Sequence, residues 1–181
     1  GETAIFSDEE VDVASPDKTA VKVARIAVES LAWTAPPGEP RSALSGLAVR
    51  DIVANAPTGE VVRVASIDLT EARFEGMGGA IAGFALRTFT VTGGTENGSL
   101  GAIDIESVVV ALPERIAIKN VAFRDFVGNL SRQGAVRIGA VELRAFEMLN
   151  AFDRNPADLR TLEFAIRGLE GPLSGGSDPN F

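Results

Sequence analysis

Apolar residues recur along this chain as h-x-x-h-x-h-x-x-h, where h is apolar. The template fits Val23–Leu31, Leu44–Ile52, Val64–Ala72, Ile81–Phe89, Leu100–Val108, Ile118–Phe126 and Ile138–Phe146, with a looser eighth copy at Leu159–Leu169. The first central apolar residues are Ile26, Leu47, Ile67, Phe84, Ile103, Val121, Val141 and Leu162, spaced 17 to 21 residues apart. A repeat of this length over most of a chain predicts a repetitive architecture, in which each unit buries its apolar positions against its neighbours.

The units are dense in Val, Ile, Phe and Thr and alternate locally, as in Val62-x-Val64 and Ile67-x-Leu69, which favours strand over helix. Between them stand Ala35–Arg41, Asn55–Gly59, Gly76–Gly79, Gly93–Ser99, Leu112–Arg115 and Gly128–Gly134, each carrying Gly, Asn or Pro suited to turns. Strands of about 10–13 residues follow from that punctuation, longer than most globular strands. One short helix is expected within Asn150–Leu162, because Asn155 before Pro156 makes a suitable N-cap.

Parity decides between two folds. Side chains at i and i+2 share a face of a strand, so each h-x-x-h gap reverses the face. A bend at each gap, as in a parallel β-helix, absorbs the reversal; so does a long strand that carries a bulge or is apolar on both faces. The expectation is an all-β, repetitive, long-stranded and curved antiparallel sheet, with a parallel β-helix or solenoid as the alternative. Turn signals that come once per repeat tilt the balance toward the antiparallel form. An acidic arm is expected over residues 1–18, a single repetitive domain over 19–170 and a flexible Gly/Ser/Pro tail over 171–181.

Composition narrows the chemistry. With no Cys, His or Tyr among 181 residues, a Ser-His-Asp or Cys-His enzyme cannot be assembled, and neither disulfides nor thiolate metal sites can form. A net charge of −8 disfavours nucleic acid, whose phosphates require a Lys/Arg surface. No run of 18 apolar residues is present to span a membrane as a helix. The Gly76–Gly83 stretch (GMGGAIAG) lacks the Lys-Ser/Thr of a phosphate loop and reads as a tight turn. No cofactor, metal or catalytic residue is expected.

Two surfaces remain. The polar position after each central pair holds Glu29, Arg50, Thr70, Arg87, Glu106, Arg124 and Arg144, and opposite charges there are expected to pair across strands. The late position of each unit gathers large apolar side chains. Trp33, Phe74, Phe89, Phe126 and Phe146 are the candidates for a second apolar face, expected to align as one stripe. A sheet apolar on both sides needs a cover of protein, lipid or a partner.

The local phrases VKVARIAV (Val21–Val28), VVRVASIDL (Val61–Leu69), IAIKNVAF (Ile116–Phe123) and VRIGAVEL (Val136–Leu143) resemble the repeats of AsmA/TamB-type envelope proteins of Gram-negative bacteria. The likeness covers most of Val21–Met148 and is one of pattern, with no functional residue to carry over. It implies a long, curved β-sheet with a lipid-accommodating groove, outside the cytoplasm and associated with a membrane. The expected function is non-enzymatic lipid binding. The alternative is an assembly subunit docking its apolar face on a protein or membrane complex, and a third possibility is a carboxylate-based glycan enzyme on a β-helix.

Overall fold

The computed structural model describes residues 13–14, 19–34, 41–94, 97–130, 134–150 and 159–171. These residues form one curved, unclosed sheet and no helix. The strands are β1 (Val13–Ala14), β2 (Ala20–Ala27), β3 (Ser30–Thr34), β4 (Arg41–Asn55), β5 (Val61–Glu75), β6 (Gly78–Thr92), β7 (Asn97–Ala111), β8 (Arg115–Leu130), β9 (Gly134–Leu149) and β10 (Leu159–Glu170). Their order is β1-β2-β4-β5-β6-β7-β8-β9-β10, every pairing is antiparallel, and β3 also pairs with β4.

The fold is therefore the antiparallel meander, and the solenoid alternative falls away. Long-range pairing comes entirely from hairpin neighbours. At 15 or 16 residues, the strands from β4 to β9 exceed the expected length, because they run on into the flanking punctuation. Gly78 and Gly79 belong to β6, leaving only Gly76 and Met77 as the turn, with Gly76 at φ +55°. A 15-residue strand spans about 50 Å at about 3.3 Å per residue.

β2 and β3 act as one strand. Both pair with β4 in a register unchanged across the break at Val28–Glu29, where the Glu29 amide still donates to the Ser45 carbonyl at 3.1 Å. The expected helix is not seen where its C-terminal part can be checked. Leu159–Glu170 is strand, while residues 151–158, including Asn155 and Pro156, lie outside the described residues. Most of the acidic arm and the tail beyond Gly171 lie outside them too.

The parity problem is solved by kinks. Pairing lapses along two lines that cross the sheet, and the register is the same on both sides of each lapse from β4 through β9. One line passes through Gly46, Thr70, Gly83, Glu106, Asn120 and Arg144; the other passes through Asp51, Ala65, Thr88, Gly101, Asp125 and Gly139. On every second strand the residue in the gap is left-handed: Gly46 and Asp51 in β4, Gly83 and Thr88 in β6, Asn120 and Asp125 in β8, with φ between 45° and 63°. A left-handed residue re-aims the chain much as a bulge does, so apolar positions before and after the gap keep to one face. No residue is inserted, which is why the register survives.

Gly46 and Gly83 are required at their places. A Cβ on Gly46 would overlap the Glu29 side chain, and one on Gly83 would overlap Thr70 Oγ1. Thr88 is the costly member, since a β-branched residue disfavours positive φ.

Candidate functional site

With parity restored, the template's apolar positions line up as rows that run across the sheet. One central row is Leu47–Leu69–Phe84–Ile105–Val121–Leu143–Phe164, and its neighbour is Val49–Ile67–Leu86–Ile103–Phe123–Val141–Ile166. Two further rows lie beyond each kink line. The face they make has no second layer over it among the described residues. Among the described residues only Val64, Ala72 and Ala122 are buried hydrophobics, and no side chain is fully enclosed. Val64 and Ala72 stand beyond opposite kink lines of β5, and the residues between them at the gaps, Ala65 and Thr70, are exposed.

The expected single aromatic stripe is not formed. Antiparallel neighbours place the late position of one strand at the opposite end of the sheet from that of the next. Phe74 aligns through Ser42 with the backbone of Trp33, and Phe146 sits one row inward, between Ile118 and Leu162. Phe89 and Phe126 lie at the far end, Phe89 paired with Val64 and Leu100 and Phe126 with Ile138. The five residues thus make two terminal clusters.

Two of these rings cover glycines. A Cβ on Gly79 would come within 2.9 Å of the Phe74 ring, and one on Gly128 within 2.9 Å of the Phe126 ring, so each aromatic fills the space its glycine leaves. Beside Phe74 an apolar cleft of about 360 Å³ opens between Met77, Gly79, Ile81, Val108 and Val110.

The opposite face carries an ordered charge lattice. Between the two central apolar rows, the cross-strand positions read Ala48, Asp68, Ala85, Asp104, Ala122, Glu142 and Ala165, an acid on every second strand. One step along, Arg50, Arg87, Arg124 and Arg167 occupy the intervening strands. Arg50 donates to Asp68 at 2.5 Å and to the Val49 and Ile67 carbonyls at 2.9 and 3.3 Å. Arg87 repeats this arrangement, donating to Asp104 and to the Leu86 and Ile103 carbonyls at 2.9 and 3.1 Å. Asp104 also accepts from Arg124 at 2.7 Å, and Glu142 faces Arg167 at 3.4 Å and Arg144 at 3.9 Å.

Ala122, one of the buried residues, lies in this row between Asp104 and Glu142, each tied to arginines. Such half-exposed pairs are worth about 0.2–1 kcal/mol each and fix the register more than they add stability. A cleft of about 480 Å³ lies over this lattice, bordered by Asp104, Glu106, Asn120, Arg124, Glu142 and Arg144. Each of its three carboxylates already has a partner, Glu106 through Asn120.

Comparison with protein families, with curated proteins and with solved structures finds no match for this chain. The site is therefore read from its own geometry. Among the described residues no cluster of Asp and Glu is arranged to hold a metal ion, and no helix is long and apolar enough to cross a membrane.

The polar positions singled out in the sequence separate for the same antiparallel reason as the aromatics. Arg50, Arg87 and Arg124 join the lattice, whereas Glu29, Thr70, Glu106 and Arg144 fall on a kink line. The acids that the arginines engage, Asp68, Asp104 and Glu142, sit between the two central apolar residues of their units. Their signal was present: among the units of β4 to β9, the residue inside the h-x-h core is acidic on β5, β7 and β9.

Proposed function

We propose that this chain is a non-enzymatic binding module that offers its apolar face to lipid acyl chains in the bacterial cell envelope, outside the cytoplasm. One observation carries the reading: apolar rows cross the whole sheet without a charged residue, and nothing among the described residues covers them. A continuous apolar sheet face without a second layer is what a monomer avoids unless something occupies it. An acyl chain fits because binding to such rows draws on area, at about 25 cal/mol per Å² before association costs, and needs no orienting charge. The resemblance of the repeats to AsmA/TamB-type proteins favours the same occupant.

The test is detergent-free purification followed by mass spectrometry of an organic extract. Acyl lipid is expected at about one or more molecules per chain. Phe123→Ser, at a residue already 40% exposed, should lower the retained lipid while leaving the circular dichroism of the sheet in place. A lipid-free extract would overturn the proposal. An assembly role is the second reading, and a specific region favours it: β10 exposes both its backbone edge and its apolar side chains.

A further inference from the structure

We infer that β10 is a self-complementary edge through which two copies of this chain pair antiparallel, joining their sheets into one with a shared apolar face. The inference is independent of the lipid proposal.

Among the described residues nothing pairs with the outer side of β10. An edge of this kind is normally blunted by Pro, Lys or a bulge on the edge itself. The sequence of β10, Leu159–Glu170, contains neither Pro nor Lys. Of its two irregularities, one adds Arg160 to β10 itself, between Leu159 and Thr161, and the other, near its middle, falls on its neighbour: Ala145 pairs with Glu163 and Leu143 with Phe164, so the extra residue there is Arg144 of β9. From Thr161 to Arg167 β10 is consequently an uninterrupted strand. Leu162, Phe164 and Ile166 alternate on one face, 59%, 58% and 51% exposed, with Glu163, Ala165 and Arg167 on the other.

Its charges are arranged about Ala165. Arg160, Glu163, Arg167 and Glu170 lie five before, two before, two after and five after it. Antiparallel pairing of two copies with Ala165 opposite Ala165 sets Glu163 against Arg167 twice and Phe164 against Ile166 twice within the regular segment Thr161–Arg167. Both charges of that segment then face their opposites. Arg167 can serve both partners, because its contact to Glu142 is a single one at 3.4 Å and the guanidinium has five donors. A two-fold axis perpendicular to the sheet keeps the apolar faces of both copies on one side. The other edge suits neither role as well, since β2 and β3 are broken at Val28–Glu29 and β1 already covers Ala20 and Val21. The geometry thus selects a closed dimer over a head-to-tail chain.

Sedimentation of the 18.9 kDa chain should give twice that mass at micromolar concentration. Glu163→Arg and Arg167→Glu should each weaken the dimer about tenfold or more, and the two together should restore it. Ala165→Cys, placed on the axis in a chain without cysteine, should form a covalent dimer under mild oxidation, whereas Thr161→Cys should not. A monomer at about 100 μM, a ladder of larger multiples, a charge swap that fails to restore the dimer, or equal cross-linking at both positions would each overturn the inference. The cross-linking pair decides the matter even if a charge variant folds poorly.

Discussion

Strands β4 to β9 and strand β10 carry the same template yet solve it differently. In the interior, every strand crosses two kink lines, and left-handed residues on alternate strands hold the apolar positions to one face. β10 keeps only one such residue, Gly168 at φ +63°, and leaves the other adjustment to an extra residue in β9. The difference follows from neighbours. An interior strand is paired on both sides, so a kink must be matched on both; an edge strand answers to one neighbour, and β10 stays regular from Thr161 to Arg167. Phe84 and Phe164 occupy the same apolar row, but Phe84 lies between Leu69 and Ile105, whereas Phe164 has only Leu143 beside it and is 58% exposed.

That pair gives the largest expected contrast. Phe84→Ala should cost about 2–3 kcal/mol in urea unfolding, less than the 3–5 typical of a closed core because the sheet is a single layer. Phe164→Ala should cost under about 1 kcal/mol. Equal losses would mean that the row is covered alike along its whole length.

The kinks come next. Gly83→Ala should destabilise by about 1–3 kcal/mol, combining a left-handed alanine with overlap against Thr70 Oγ1. Adding Thr70→Ala should recover the overlap and leave the backbone part. Gly168→Ala should cost about 1–2 kcal/mol, because the left-handed alanine remains while its Cβ would meet the Gly139 backbone at 3.3 Å rather than overlap a side chain. The smallest effect belongs to the lattice. Asp104→Ala, which strips a partner from both Arg87 and Arg124, should cost about 1 kcal/mol at low salt and less at about 0.5 M NaCl. Glu142→Ala, with longer contacts beside β10, should cost about half as much.

Fold class, strand content and antiparallel order were legible in the sequence, since the repeat and its turn residues report nearest-neighbour hairpins. The gaps were legible as places where parity fails. How it is repaired was less so: Asp51, Thr88, Asn120 and Asp125 look like ordinary polar residues of a strand, and the apolar pattern is the same at the gaps of β5, β7 and β9, which are not left-handed. The candidate face suffered from a different limit. Reading each unit in chain direction put Phe74 and Phe89 at equivalent positions, while the meander sends them to opposite ends of the sheet. The same reversal hid the pairing of Arg87 with Asp104, because their equivalence exists only across antiparallel strands.

A one-sided apolar face that takes acyl chains is tested most directly by quenching from doxyl-labelled fatty acid. With Trp33 replaced by Phe, a reporter tryptophan is placed at Phe84, on the apolar row, or at its neighbour Ala85, on the lattice side. Strong saturable quenching is predicted for Phe84→Trp and little for Ala85→Trp. Equal quenching at both positions, or none at Phe84, would contradict the account.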